Sequence, residues 1–289
     1  MGFARLLLLA ALWGGSFLLT RVAVAVVGPE WLILARVSLA AIFLWFVTRW
    51  FKKSLQVSKY WRHYLVLGFF NSALPFVLFA YAAQTLSTSL LSILNATAPM
   101  WAAIVAVIWL KSELSASKWL GMAIGLAGVI VLAGVESATL SSGGLLAIGA
   151  GLAATLSYGI ASNYTKFAPD VEPFSNAHGS MWAATLVMIP VALATPIPAE
   201  VSLMPTGLAV LGLGIVCSGV AYLIYFRLIA DFGAVSAMTV AFLIPVFGTL
   251  WGAWLLGESV TWATMVGGLL VLLGTALVTG FSLRALFGR

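Results

Sequence analysis

The chain has 289 residues, of which 63% are hydrophobic and only 8% charged, and it carries a net charge of +6. A soluble globule is about a quarter charged, so a soluble two-domain fold is excluded and a polytopic membrane protein is left. The positive charge does not point to nucleic acid, because Arg49, Lys52, Lys53, Lys59 and Arg62 share one short loop between apolar runs, the mark of a cytoplasmic loop.

Ten apolar runs are predicted as transmembrane helices: 3–27, 31–49, 63–84, 88–110, 117–135, 144–165, 175–195, 203–229, 234–256 and 260–282. They are read as helices because a helix satisfies its own backbone polar groups and an isolated strand in lipid does not. The first run, Arg5 then Leu6 to Trp13, has the outline of a signal peptide with Ala23-Val24-Ala25 as its cleavage site. Its residues Trp13, Gly14, Thr20 and Arg21 return 145 positions later as Tyr158, Gly159, Thr165 and Lys166. A removable peptide has no reason to be half of a repeat, so this run is expected to stay as the first span.

The repeat extends along the chain. Adding 146 to Ser72, Phe76, Phe79, Leu86, Pro99, Gly121 and Gly128 lands on Ser218, Tyr222, Tyr225, Phe232, Pro245, Gly267 and Gly274. The expected division is 1–137 and 138–289, five helices each. With the N-terminus inside, twelve of the fourteen basic residues fall on the cytoplasmic side, leaving only Arg21 and Arg36. The outer side instead holds Glu30, Glu136, Glu200 and Glu258. An odd number of spans per copy inverts the second copy, the arrangement of secondary transporters whose substrate site lies at the midplane. The fold expected is therefore an all-α polytopic membrane protein, two inverted five-helix repeats around a central cavity, both termini cytoplasmic.

Pro99 and Pro245 fall near the centres of the fourth and ninth runs, and Pro75 in the third. Proline lacks the N–H that would bond the carbonyl four residues back, so the Asn95, Ala241 and Asn71 carbonyls are expected to be free at one depth. That leaves two readings, kinks patched by neighbouring hydroxyls or broken helices around a wet cavity. Ser92, Asn95 and Pro99 share a face, as do Ser157, Ala161 and Tyr164, with Tyr158 and Ser162 beside them. Gly121, Gly125 and Gly128 read as close helix packing.

Trp31, Trp50, Trp61, Trp109, Trp119 and Trp262 lie near helix ends as an interfacial belt, whereas Trp13, Trp101 and Trp251 lie deeper. Trp101 is read either as a substrate contact or as a packing residue. Charges within spans are functional candidates. Arg36 would hold an anionic group, brace the outer gate or snorkel to the surface. His178 would titrate near physiological pH or sit idle at the interface. Glu113 and Glu258 suit end-capping or gating. No carboxylate lies mid-run and no Gly-x4-Gly-Lys-Ser/Thr segment occurs. A carboxylate proton relay and ATP drive are therefore not expected, and facilitated movement or coupling through His178 is left. Cys217 is the only cysteine, which excludes an intrachain disulfide and suggests no metal site.

Trp13-Gly14-Gly15-Ser16-Phe17, the Ala35-Arg36 pair, a mid-helix proline followed 13–14 residues on by glutamate, and a glycine-spaced fifth helix resemble the EamA-type drug/metabolite transporter superfamily. Within it the chain is most similar to YddG-type exporters of amino acids, including aromatic ones. The resemblance implies ten helices, a cavity lined by helices 1, 3, 4, 6, 8 and 9, and export or exchange of small metabolites at a bacterial inner membrane.

On this reading Ser16, Asn71, Asn95 and Ser162 bind the polar head of the substrate. Phe79, Trp101, Tyr158, Tyr222 and Phe242 shape an apolar wall. Pro99 and Pro245 act as hinges, and Arg36 and His178 take gating or coupling roles. No cofactor or metal is expected. The expected partners are a small-molecule substrate and membrane lipid, with the protein a monomer or weak dimer. A carrier of phosphorylated or sugar-type metabolites, a passive channel and an intramembrane hydrolase are the alternatives. The hydrolase would need a nucleophile that His178 lacks, since no Gly-x-Ser-Gly segment occurs.

Overall fold

A computed structural model describes residues 2–52, 54–139, 143–196 and 204–281, without the side chains at 135–139 and 234–236. Lys53, Glu200, Arg284, Arg289 and the Glu136 side chain, counted among the charges above, lie outside the described set. Among the described residues there is no strand. The helices are α1 (Gly2–Val27), α2 (Pro29–Trp50), α3 (Val57–Gly68), α4 (Leu74–Ala83), α5 (Thr88–Asn95), α6 (Ala98–Leu110), α7 (Ala116–Thr139), α8 (Gly144–Tyr164), α9 (Pro173–Leu193), α10 (Thr206–Leu211), α11 (Ala221–Met238), α12 (Val240–Leu256) and α13 (Trp262–Thr279).

Among the described residues eight helical stretches are long and apolar enough to cross a membrane, and Val240–Leu256 is a shorter apolar helix beside them. The chain is a multi-pass membrane protein. Its outward faces agree: Phe46, Ile108, Leu146 and Trp254 are exposed, as side chains are when they meet acyl chains. The buried faces are rich in alanine, glycine and serine, small residues that let helices in lipid approach closely.

Among the described residues α11 is broken at Gly233, whose φ of 82° and ψ of 161° are not helical, and two further stretches depart from the α-helix. Phe69–Ala73, between α3 and α4, and Gly212–Val220, between α10 and α11, are π-helical. Shifting the first by 146 gives 215–219, inside the second. The first corrects an expectation about Pro75. In an i→i+5 ladder the carbonyl that loses its partner to Pro75 belongs to Phe70, not Asn71. The Phe70 carbonyl is taken by Ser157 Oγ of α8 at 2.7 Å.

The fourth predicted span is likewise not one helix. α5 ends at Asn95, Ala96 and Thr97 form a turn, and Pro99 falls in the first turn of α6, where its missing N–H costs nothing. Beside the Asn95 carbonyl, which Pro99 cannot serve, the break also leaves the Ala96 carbonyl without a helical partner, and Thr275 Oγ1 of α13 donates to it at 2.8 Å. Pro245 differs, for it lies inside α12.

Glycine fixes the tightest crossings, and each crossing occurs twice. A Cβ on Gly14 of α1 would lie 2.8 Å from the Gly248 nitrogen of α12, and one on Gly159 of α8 would lie 2.8 Å from the Ala102 nitrogen of α6. Under the shift of 145–146, Gly14 maps to Gly159 and Ala102 to Gly248. Gly68 stands equally close to the Ser180 carbonyl and Gly214 to the Arg36 carbonyl, at 2.7 and 3.0 Å. α7 and α13 cross antiparallel, Gly121 against Gly274 and Gly128 against Gly267.

Candidate functional site

A cavity of about 340 Å³ lies where α1, α2, α4, α6, α8, α11 and α12 meet the two π segments and the end of α5, within the size range of small-molecule sites. Each lining residue is presented by an irregularity or a helical stripe. Trp13, Ser16 and Phe17 follow i, i+3, i+4 spacing on α1. Asn71 projects from the π turn, and Asn95, Ala98 and Pro99 flank the break between α5 and α6. Ser218, Tyr222 and Tyr225 follow i, i+4, i+7 spacing from the second π segment into α11.

Arg36 is the only charged residue among those lining the cavity. It sits two turns into α2, almost wholly buried at 8% exposure, so it does not snorkel. Its Nε donates to Ser218 Oγ at 3.0 Å, and its guanidinium carbon stands 3.9 Å over the Phe76 ring. Tyr158, Tyr222 and the Cys217 thiol share the same space. Opposite them Trp13 packs against Tyr225 and Tyr222, with ring centroids 5.3 and 6.3 Å away.

Of the residues expected to bind substrate, Ser16, Asn71, Asn95, Tyr158, Ser162 and Tyr222 are brought together on the cavity wall, with Pro99 among them. Phe79 stands one layer behind, its ring 5.3 Å from Phe17 and 6.4 Å from Tyr158. Trp101 and Phe242 are placed elsewhere. The Trp101 backbone packs on Gly159, and the Phe242 ring lies 4.5 Å from Phe281. Ser92 is fully buried against Gly248, so the face it shares with Asn95 is split between packing and cavity.

His178 also lies off the cavity and is fully buried. Thr48 Oγ1 donates to the Leu44 carbonyl at 2.8 Å and is 2.8 Å from His178 Nδ1. The Trp182 indole N–H donates to His178 Nε2 at 2.9 Å. The hydroxyl proton is spent and the indole has only a donor, so the imidazole is neutral with its proton on Nδ1, and both nitrogens are engaged.

Towards the C-terminal end of α1, beyond the cavity-lining stripe, α1, α5 and the segment after α12 are tied together. Glu258, after α12, accepts from the Thr88 backbone N–H through both carboxylate oxygens at 3.0 Å and from Thr88 Oγ1 at 3.0 Å. Arg21 Nε approaches the same carboxylate at 3.3 Å, while Arg21 Nη1 donates to the Leu86 carbonyl. The turn between α4 and α5 thus has its last carbonyl on a cation and its next free N–H on an anion, as helix ends favour. At the opposite end Arg5 of α1 pairs with Asp231 of α11 at 2.5 Å. There Met238, on the cavity wall, is 52% exposed, and Glu113 is exposed too.

Trp13, Phe76, Ser218 and Tyr225 line the cavity but were not among the expected site residues. The signal for three of them was in the chain: Trp13 shares a helical face with Ser16, and Ser218 and Tyr225 share one with Tyr222.

The EamA-like transporter family model matches the chain twice, over residues 1–134 and 145–280. The chain is 21% identical over 266 residues to the uncharacterized transporter YoaV of Bacillus subtilis, covering 91% of each. It is 25% identical over 279 residues to an uncharacterized transporter of Archaeoglobus fulgidus, covering 93% of each. A solved crystal structure aligns over 98% of both chains at a TM-score of 0.65 and 17% identity, a likeness of fold alone.

Proposed function

The chain belongs to the EamA-like transporter family, and from that premise we propose a secondary transporter that exports amino acids, aromatic ones included, and related small metabolites. It works by alternating access in a bacterial inner membrane. Ten spans form two inverted five-helix repeats, 1–137 and 138–289, with both termini in the cytoplasm. The duplicated glycine crossings support that arrangement. Gly14 touches the counterpart of the residue that Gly159 touches, and the antiparallel Gly121–Gly274 and Gly128–Gly267 contacts exchange under the same shift. An axis in the membrane plane relates helices in this way.

The observation that carries the reading is the cavity between the two halves, with exposed Met238 on its wall and the Glu258–Thr88 contact bridging the halves beyond its other side. Orientation by the basic residues puts Glu258 outside, so this is the inward-facing state. Substrate enters from the cytoplasm and meets Ser16, Asn71, Asn95 and Ser162 with its polar groups and Tyr158 and Tyr222 with its body, while Phe79 backs the wall. Pro99 and Pro245 let α6 and α12 swing as the Glu258 clamp opens. Trp101 and Phe242 lie off the wall in this state and join it in this mechanism only through that swing.

Counterflow in proteoliposomes tests the proposal, with labelled phenylalanine outside and a panel of unlabelled amino acids inside. Saturable accumulation driven by the internal amino acid is expected. Accumulation driven by a sugar phosphate alone would replace the substrate class, and flux linear in concentration would replace the carrier by a channel.

A further inference from the structure

Arg36 is a buried cation in a cavity that offers it no anion. Among the described residues none of the ion pairs includes it, and no Asp or Glu lines the cavity. Its two neighbours, the Ser218 hydroxyl and the Phe76 ring, are neutral. An ion taken out of water is stabilised only when paired and fully hydrogen-bonded, so the missing partner is an anion that comes and goes.

The geometry defines that anion. Nε is committed to Ser218, and the guanidinium carbon rests 3.9 Å over the Phe76 ring. Among the described residues the two terminal nitrogens have no hydrogen-bond partner, and their parallel N–H pair matches the two oxygens of a carboxylate. A second anionic charge would find no second cation on the wall. An ammonium would find no carboxylate there, only neutral oxygens and aromatic faces such as Trp13 and Tyr225.

We propose that Arg36 is the substrate's carboxylate-binding residue and that the site selects monocarboxylates with an aromatic or apolar body. The α-ammonium of an amino acid is tolerated but not required. This rests on the transport reading above and narrows its substrate class, so 3-phenylpropionate is recognised as phenylalanine is.

Four ligands remove one group at a time: phenylalanine, 3-phenylpropionate without the ammonium, phenethylamine without the carboxylate, and phenylalaninamide with the carboxylate neutralised. Titration calorimetry on the purified protein is expected to give the two carboxylates dissociation constants within about threefold of each other. The amine and the amide should bind roughly tenfold or more weakly. Arg36→Gln should abolish the difference, and Arg36→Lys, which keeps the charge but loses the fork, should retain part of it. The wild-type series stands without either variant if they fail to fold.

Amine or amide bound as tightly as the acids, wild-type protein that binds none of the four, or a folded Arg36→Gln protein with unchanged preference would overturn the proposal. Phenylalanine counterflow separates this from the transport reading. The binding pattern without counterflow sinks transport and keeps the carboxylate site. Counterflow in which the amide competes as well as phenylalanine does the reverse.

Discussion

Glu258 caps the backbone N–H of Thr88, 170 residues away in the chain, with both carboxylate oxygens at 3.0 Å. The contact ties the end of α12 to the start of α5, and Arg21 of α1 joins it. Hydrogen bonds to a charged group contribute about 1.5–3 kcal/mol each, enough to set a two-state gate. Glu258→Gln keeps the shape but removes the charge. Cys217, the only cysteine, lines the cavity and reports which side the cavity faces. We expect a membrane-impermeant thiol reagent to label it from the outside several-fold faster in the variant, because removing bonds made in one state shifts the population towards the other. Unchanged outside labelling would show that Glu258 does not hold the gate.

Glu113 stands 145 positions before Glu258 and is exposed. If the repeats exchange roles, it caps the chain near Ala234 only when the cavity faces outward. Glu113→Gln should then lower outside labelling of Cys217, opposite in sign to Glu258→Gln. Labelling that moves the same way in both variants would break the reciprocity.

Gly14 and Gly159 face backbone at the same distance, 2.8 Å, from opposite halves of the chain. A Cβ cannot be fitted there without separating the helices, and overpacking costs about 1–3 kcal/mol. Gly14→Ala and Gly159→Ala should both lower the unfolding temperature in detergent. Gly149→Ala, where nothing lies within 4 Å, should leave it unchanged or raise it.

Much of this was legible in the chain and some was not. The apolar runs and the 146-residue register mark most of the helices, because burial in lipid leaves length and hydropathy as the main constraints. Six of the nine expected substrate contacts face the cavity because helical spacing fixes which side chains share a stripe. The π turns were not legible. Pro75 accompanies the first, but Ala221 stands at its counterpart beside the second, so no single residue type marks them. Trp101 shows the other limit. Its depth was readable, but depth does not fix direction: two residues past Pro99 on α6 a side chain lies on about the opposite side of the helix, and Trp101 is absent from the wall that Pro99 lines. His178 was placed at an interface by sequence distance, whereas one of its two partners, Thr48, comes from α2, 130 residues away.

His178 donates through Nδ1 and accepts through Nε2, so in this packing it is a neutral cross-brace between α2 and α9. His178→Phe leaves the Trp182 N–H without its acceptor, while Thr48 keeps its bond to Leu44, and should destabilise the protein by about 1–3 kcal/mol. The pH dependence of counterflow should keep its midpoint. A midpoint displaced in the folded variant would restore a coupling role to this imidazole.

Three tryptophans test the cavity wall. Trp13 lies on it, with Tyr225 at 5.3 Å, so Trp13→Ala removes an aromatic face from the substrate's body. Selectivity for ring-bearing over aliphatic substrates should fall roughly tenfold or more, since even one methylene in an apolar pocket is worth about 1–3 kcal/mol. Trp262 is exposed where lipid lies, and Trp262→Ala should leave the competition profile unchanged. Trp101 decides how far the second state differs from this one. Its backbone meets Gly159 and it is absent from the present wall, so Trp101→Ala should leave equilibrium binding in the inward-facing state intact. If α6 swings about Pro99 to bring the indole against substrate, the same variant must alter the turnover rate or the counterflow preference. Binding and counterflow that both match the wild type would exclude Trp101 from the transport path in either state.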